Sequence, residues 1–280
     1  MVSESPGATD DDRVGVAGGR VAAFFDLDKT IIAKSSTLAF SRRFRQEGLI
    51  NRRAALRSAY AQFVFMQAGA DAEQMDRMRE HLTRLAAGWD VEQVRSIVEE
   101  TLHDIVDPLV YAEATELINT HREQGHDVVV VSASGEEIVT PIAAMVGATH
   151  SIGTRMVVAD GRYTGEIGFY CYGENKALAI TELAEEKGYL LAECHAYTDS
   201  NTDLPMLEVV GHPTAVNPNR PLRKVAIARD WPVLSFSNPI SLRARISTPA
   251  GGAVVAATAV GLGAVAAGVT WYGIRRRRNR

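Results

Sequence analysis

The stretch VAAFFDLDKT, residues 21–30, decides the fold of this chain. Its apolar run at 21–25 predicts a strand that is buried on both faces, as the strands of a parallel sheet are. Two acids, Asp26 and Asp28, follow the run directly, and the hydroxyl of Thr30 comes next. Because ligands of parallel α/β sheets bind at the carboxyl ends of the strands, we expect both carboxylates to lie at a binding crevice.

Two neighbouring carboxylates in that position indicate a site for a divalent cation. A hard ion such as Mg2+ prefers oxygen ligands and usually binds together with a phosphate, and a carboxylate beside it can act as a nucleophile. Taken alone, Asp-x-Asp after an apolar run is equally compatible with a turn and a helix cap. The interpretation therefore depends on what the rest of the chain supplies.

A second buried strand is predicted at 127–134, DVVVVSAS, and it carries Ser132 near its carboxyl end. The hydroxyl of this serine can hold a phosphate oxygen. Lys176 opens a helical pattern at 176–187, and a cation at a helix start suits an anion site. Singly, the serine is compatible with a simple turn hydroxyl and the lysine with an exposed helix residue.

Residues 195–207, HAYTDSNTDLPML, predict another strand, two acids and the start of a new helix. The first acid, Asp199, is the candidate for a further metal ligand. The second acid, Asp203, is compatible either with a position behind the site or with a helix N-cap.

The order Asp-x-Asp-x-Thr, Ser, Lys and Asp-x-x-x-Asp resembles the haloacid dehalogenase-like hydrolase superfamily, and within it the phosphoserine phosphatase branch, over roughly 20–235. The resemblance implies an α/β fold with a Rossmann-like parallel sheet core and an inserted helical cap. It also implies a Mg2+-dependent phosphomonoester hydrolase that acts through an aspartyl-phosphate on a small-molecule or lipid phosphate ester.

The same resemblance assigns roles to the acids. It makes Asp26 the nucleophile and Asp28 the acid that protonates the leaving alkoxide and then activates water. The Asp26 carboxylate, the Asp28 backbone carbonyl and the Asp199 carboxylate are the implied Mg2+ ligands. Ser132 and Lys176 are implied to bind phosphate, and Asp203 to orient Lys176 or the metal-bound waters from outside the ligand shell.

One departure from the branch concerns the substrate. Phosphoserine phosphatases carry a glutamate shortly after the first motif that meets the substrate's amino group, whereas Ile32-Ala-Lys-Ser-Ser36 contains no acid. This argues against L-phosphoserine. Two other functions stay open: a membrane-tethered regulatory protein of cell differentiation that acts by binding a partner, and a phosphotransferase that passes the phosphoryl group to an acceptor other than water.

Composition excludes some classes of function. The chain has 280 residues and a net charge of only -4, and its arginines are spread among glutamates, so we expect no nucleic-acid partner. Two cysteines supply neither a disulfide framework nor a metal knuckle. The seven histidines show no metal-ligand spacing, and His195, inside a strand pattern, is interpreted as a core or partly satisfied residue and not as a base.

Helical patterns without strands occupy the segment between the first two motifs, at 36–46, 52–68, 71–87 and 91–103. A further helix at 108–124 is expected to return to the core, and a hairpin is expected with its turn at 159–162. The predicted organisation is a disordered leader at 1–20, a hydrolase core at 21–35 and 105–236, a helical cap at 36–104 and a linker at 237–249.

The carboxyl terminus predicts membrane association. Residues 250–274 carry no charge and are long enough to span a bilayer as a single helix, and 275–280 form a basic tail. The alternative is a helix or flexible tail rich in alanine, glycine and valine, with a solubilising arginine end. A single-pass span would place the protein at the cell membrane, with the catalytic domain expected in the cytoplasm.

Overall fold

A computed structural model describes residues 19–49, 84 and 86–239, and its centre is a seven-stranded sheet. The strands, in the spatial order β4-β3-β2-β1-β5-β6-β7, are β1 (Ala22–Phe25), β2 (Asp127–Gly135), β3 (His150–Ala159), β4 (Arg162–Phe169), β5 (His195–Thr198), β6 (His212–Val216) and β7 (Val233–Leu234). All neighbouring strands pair in parallel except β3 and β4. The predicted α/β class with a Rossmann-like sheet is therefore confirmed.

Strand β1 lies between β2 and β5, with Phe25 opposite Val130 on one side and Tyr197 on the other. Along the chain, β2, β3 and β4 are added on one side of β1, and β5, β6 and β7 follow on the other side. The strand order thus reverses at β1, and in doubly wound sheets the ligand crevice lies at the carboxyl ends of the strands at such a reversal.

Helices cover both faces of the sheet because alternate residues of the strands point in opposite directions. Ala23 and Phe25 belong to one apolar cluster, and Ala22 and Phe24 to the other. The first cluster packs against α1 (Ser36–Gln46), α2 (Val91–Val106), α3 (Ala112–Glu123) and α4 (Glu136–Met145). The second packs against α5 (Glu174–Lys187), α6 (Leu204–Glu208) and α7 (Arg220–Ala228).

The predicted hairpin is confirmed. Strands β3 and β4 pair antiparallel, with Ala159 opposite Arg162. The two turn residues, Asp160 and Gly161, have φ angles of 50° and 74°. Positive φ at both central positions is the turn geometry that matches the twist of a two-residue hairpin, and Asp-Gly adopts it readily.

Two of the helices predicted in the cap segment are observed, as α1 and α2. The helix α2 continues three residues beyond the predicted end at 103, and it packs against α1 and α4. The predicted helix at 52–68 and nearly all of the one at 71–87 lie outside the described residues. The pattern at 108–124 forms a short 3-10 turn at Asp107–Leu109 followed by α3.

The prediction of a transmembrane helix has to be corrected. Within the described ranges, no helix is long and apolar enough to cross a membrane. The longest of them, α2, has 16 residues, or roughly 24 Å against a hydrocarbon core of roughly 30 Å. Residues 250–274, on which the prediction rested, lie outside the described residues. The same finding corrects the predicted membrane association and single-pass cell-membrane localisation.

Candidate active site

The backbone holds the two acids of the first motif at the carboxyl end of β1. The N–H of Asp26 donates to the carbonyl of Tyr197 at 2.9 Å, which continues the pairing with β5 by one residue. Lys29 then takes a φ of 64° and turns the chain back on itself. The Oδ1 of Asp28 accepts the N–H of Ser36 at 2.8 Å. Because Ser36 begins α1, this carboxylate lies at a helix N-terminus, where negative charge is favoured.

A buried lysine joins the first motif to the last. The Lys176 Nζ donates to Asp26 Oδ1 at 2.6 Å and to Asp203 Oδ2 at 2.8 Å. Its side chain is only 2% exposed, so the interpretation of an exposed helix lysine does not describe it. The helix α5 delivers this lysine from Gly173, whose φ of 58° and ψ of -126° form the entry to the helix.

Asp203 faces the lysine and does not act as a helix cap. Its carboxylate also accepts the hydroxyl of Thr198 at 2.7 Å. Although Asp203 stands at the N-cap position of α6, its side chain makes no capping hydrogen bond. Two donors thus fix the Asp203 carboxylate beside Lys176.

Asp199 lies two residues beyond Tyr197 in β5, and so beside the end of β1. Its carbonyl accepts the N–H of Asn219 at 2.8 Å, and the Asn219 amide donates to the Asn201 side chain at 2.9 Å. These bonds anchor the loop to the start of α7. The carboxylate of Asp199, in contrast, has no hydrogen-bond partner in the described part of the chain.

Ser132 is 2% exposed and lies within β2, next to the end of β1. Its hydroxyl oxygen accepts the N–H of Ser134 at 3.2 Å. The structure therefore brings Asp26, Lys176 and Asp203 into direct contact. Asp28, Ser132 and Asp199 share the same edge of the sheet without a direct hydrogen bond to those three among the residues that can be described.

Burial has the largest effect on the pKa values of Asp26, Asp28 and Asp199. It raises the pKa of Asp26 to about 8, against the opposing charge of Lys176, and Asp203 and Asp199 raise it further. Burial likewise raises the pKa of Asp28, and it raises the pKa of Asp199 to about 6 although Lys29 opposes this. Burial alone would lower the pKa of Lys176, but Asp203 and Asp26 raise it above its usual range, so the lysine stays charged.

The donor set fits a hard divalent cation. Four carboxylates share this end of the sheet with one buried ammonium group, and burial raises the pKa of three of them, Asp26, Asp28 and Asp199. Among the described residues, the carboxylate of Asp199 has no hydrogen-bond partner, and Asp26 Oδ2 has only a long contact of 3.4 Å to the Thr30 hydroxyl. Carboxylate oxygens of this kind are the ligands that Mg2+ takes in proteins.

A group of hydroxyls beside Asp28 was not predicted from the sequence. Ser36 Oγ and Ser134 Oγ are 2.7 Å apart, and Thr37 Oγ1 lies 3.2 Å from Ser134 Oγ. Thr198, the second donor to Asp203, was not predicted either. The sequence contains one indication for Ser134, since it lies two residues beyond Ser132 on the same strand and so points to the same face.

The chain is similar to one family of known proteins and to individual relatives. Residues 23–208 match the model of the haloacid dehalogenase-like hydrolases. A probable phosphatase of Mycobacterium tuberculosis (strain ATCC 25618 / H37Rv) is 66% identical over 258 residues, which cover 92% of this chain and 90% of the relative. The inhibition of morphological differentiation protein of Streptomyces azureus is 58% identical over 264 residues, which cover 93% of this chain and 95% of the relative.

A solved structure of phosphoserine phosphatase, described as a phospho-aspartyl intermediate analogue, is also similar. The TM-score is 0.57 at 19% sequence identity, and the likeness covers 81% of this chain and 98% of that one. At this identity the likeness concerns the fold alone.

Proposed function

The chain belongs to the haloacid dehalogenase-like hydrolase family, and we propose that it is a Mg2+-dependent phosphomonoesterase that acts through an aspartyl-phosphate intermediate. The predictions of the family and of an enzyme of the phosphatase class are confirmed by the matched family model and by the relatives. The observation that carries the finer proposal is the contact of Lys176 with both Asp26 and Asp203 at the carboxyl end of β1.

Asp26 is the proposed nucleophile. One of its carboxylate oxygens forms a bond to phosphorus while the bond from phosphorus to the ester oxygen breaks. A carboxylate attacks only when it is ionised. The pKa of about 8 for Asp26 applies to the site without a bound cation. A cation bound to the same carboxylate favours the ionised form, as Lys176 already does.

Asp28 is the proposed acid and base. Its protonated carboxyl gives a proton to the leaving alkoxide in the first step. The resulting carboxylate then takes a proton from the water that attacks the phosphorus of the aspartyl-phosphate, which releases inorganic phosphate and restores Asp26. The hydrogen bond from the Ser36 N–H holds Asp28 in one position through both steps.

Ser132 and Lys176 are proposed to bind the oxygens of the transferring phosphoryl group. The hydroxyl donates a hydrogen bond, and the ammonium group contributes positive charge where charge develops in the transition state. Asp203 positions Lys176, because it holds the lysine Nζ at 2.8 Å and is itself held by Thr198.

The residues proposed to hold Mg2+ are Asp26 and Asp199, through their carboxylates, and Asp28, through its backbone carbonyl. When bound, the ion neutralises phosphate charge that would otherwise repel the attacking carboxylate. Two observations on the described part of the chain support this assignment: the Asp199 carboxylate has no hydrogen-bond partner there, and Asp26 Oδ2 has only a weak one.

A small-molecule phosphate ester is the proposed substrate class. The hydroxyls of Ser36, Thr37 and Ser134 lie together beside Asp28, and they suit an uncharged polar leaving group. No acid lies at 32–36 to meet an ammonium group of a substrate. We further propose that residues 36–104 form the cap, with α1 as its first helix; residues 50–83 and 85 of this segment lie outside the described residues.

Substitution of the nucleophile tests the proposal. Asp26→Asn removes the nucleophilic carboxylate while keeping the side-chain shape, so phosphate release in the presence of Mg2+ should fall at least about 10³-fold. The measurement is release of inorganic phosphate from a panel of phosphomonoesters by the full-length protein, with Mg2+ and with chelator.

Asp160→Asn is the matched control, because it makes the same chemical change in the hairpin turn, where asparagine also accepts a positive φ. It should keep the full rate. Retained turnover in a folded Asp26→Asn protein would refute the assignment. Transfer of phosphate to added alcohols in preference to water would replace the hydrolase by the phosphotransferase, with the same first step.

A further inference from the structure

Three histidines meet at the end of the sheet that is opposite to the acids. His121 lies in the last turn of α3, His126 precedes β2 directly, and His195 is the first residue of β5. Strand β5 runs from His195 to Thr198 and leads into Asp199, so the cluster and the acidic site are separated by roughly 13 Å along one strand. The sequence spacing of these histidines gives no indication that they meet.

The geometry of the cluster is close to that of a metal site. One ring nitrogen from each of the three histidines lies within 4.8 Å of the other two. His121 Nδ1 and His126 Nδ1 face each other at 3.0 Å. Three imidazoles around a tetrahedral zinc ion place their nitrogens about 3.3 Å apart, given Zn–N bonds of about 2.05 Å. A movement of about 1.5 Å by the partly exposed rings would bring the three nitrogens to the spacing of a zinc site.

A further contact orients His121. Its Nε2 lies 2.8 Å from the hydroxyl oxygen of Tyr197. When the Nε2–H donates to that oxygen, the lone pair of Nδ1 points at His126. Histidines that bind metals almost always donate their second N–H to such a partner, which fixes the tautomer and the ring orientation.

The two more enclosed rings carry no charge at neutral pH. Burial lowers the pKa of His121 to about 4, and the nearby His195 and His126 lower it further. Burial also lowers the pKa of His195 to about 4, with His212 and His126 acting in the same direction and Glu193 opposing. Neutral imidazole is the form that binds metal ions.

We propose that His121, His126 and His195 form a binding site for a transition-metal ion of the zinc class, separate from the acidic site. Imidazole ligands suit Zn2+, Co2+, Ni2+ and Cu2+, whereas Mg2+ prefers oxygen. Three protein ligands leave a fourth position for water. Because His126 and His195 are partly exposed, an ion can reach the buried His121 through them.

The competing explanation is a chain of hydrogen bonds from Tyr197 through His121 to His126, with a proton between the facing nitrogens. It accounts for the distance of 3.0 Å equally well. It differs from the metal site in predicting no affinity for Zn2+ at the cluster.

Zinc binding to the full-length, metal-stripped protein without a histidine tag separates the two explanations. The wild type should bind one equivalent of Zn2+ in a competition assay with a chromophoric chelator. His126→Gln and His195→Gln should each weaken this binding about 100-fold, since loss of a direct ligand should cost at least as much as loss of an outer partner. His150→Gln is the matched control, a partly exposed histidine at the start of β3.

Two further measurements identify the location of the bound metal. Asp199→Asn should leave the tight zinc equivalent intact, because it alters only the acidic site. Cu2+ added to the wild type should give an electron paramagnetic resonance spectrum with nitrogen hyperfine splitting, a result that does not depend on any variant folding. Zinc binding that is lost in Asp199→Asn but kept in the histidine variants would overturn the proposal, as would a copper spectrum with oxygen ligands only or no binding by the wild type.

Discussion

At the scale of single residues, the ammonium group of Lys176 is the feature on which the acidic site depends. It lies between two buried carboxylates, those of Asp26 and Asp203. Removing one member of a buried ion pair costs roughly 3–5 kcal/mol, because charge is left without compensation. We expect Lys176→Met to lower the free energy of unfolding by about 3 kcal/mol in Mg2+-free buffer at pH 8, measured by urea denaturation.

The free energy of unfolding that is lost in Lys176→Met should depend on pH. Without Lys176 the pKa of Asp26 rises beyond its present value of about 8, and an acid with a raised pKa stabilises the fold at low pH and loses this contribution as pH rises. The deficit should therefore be smaller at pH 6 than at pH 8. Lys187→Met, at the end of the same helix, removes a partly exposed lysine paired with Glu186 at 2.9 Å and should cost under about 0.5 kcal/mol. Equal losses in both variants would argue against a structural role for the buried pair.

At the scale of elements, the sequence predicts what a strand or helix is more reliably than what it touches. Strands β1 and β2 could be predicted because each contains an apolar run that is buried on both faces, and β5 because a short strand pattern precedes two acids and a helix start. The residues at their carboxyl ends could then be grouped from topology alone. The hydroxyls of Ser36 and Ser134 are 98 positions apart, and no local pattern predicts such a contact.

The same limit explains two other differences. The periodicity of α2 shows an apolar face but not its partner, and the helix contacts α4 on the sheet as well as α1. His121 and His195 meet because α3 ends beside the start of β5. Their spacing along the chain does not indicate this contact. Side-chain clusters formed across elements thus need the three-dimensional fold.

One prediction at this scale concerns how the end of the described chain is attached to α3. Glu113, in the first turn of α3, accepts the N–H of Ser237 at 3.0 Å and the side-chain amide of Asn238 at 2.9 Å. Glu113→Ala should lower the free energy of unfolding by about 1 kcal/mol and speed amide hydrogen exchange at Ser237 and Asn238. Glu123→Ala, an exposed glutamate at the other end of α3, is the control and should leave both quantities unchanged. Unaltered exchange at Ser237 in Glu113→Ala would show that these bonds do not hold the segment.

At the scale of the whole molecule, the hydrophobic composition of the carboxyl terminus led to a wrong prediction. A run without charges satisfies the length criterion for a span, but the run at 250–274 is mostly alanine and glycine, which contribute little to insertion. Among the residues described, none of the helices meets the criterion. The motifs, in contrast, predicted the family correctly, because each had to occur in order and at the end of its own strand or start of its own helix.

The two ends of the sheet differ in chemistry, and this yields a prediction for the molecule as a whole. Carboxylates gather at the carboxyl ends of the strands, where burial raises the pKa of Asp26 and of Asp199, while imidazoles gather at the amino ends. A cation that binds only the folded acidic site must stabilise the entire fold. At a Mg2+ concentration of 100 times its Kd, the expected gain in the free energy of unfolding is about 2.7 kcal/mol.

Thermal and urea unfolding of metal-stripped protein, with and without Mg2+, measures this gain. Asp199→Asn should lose most of it, because a carboxylate ligand is replaced by a neutral amide. His195→Gln should keep all of it, because imidazole at the opposite end of β5 does not bind Mg2+ appreciably. Full stabilisation of Asp199→Asn by Mg2+ would place the ion elsewhere and remove Asp199 from the ligand set. A loss in His195→Gln equal to that in Asp199→Asn would mean that the two ends are energetically coupled through β5, since one strand carries both residues.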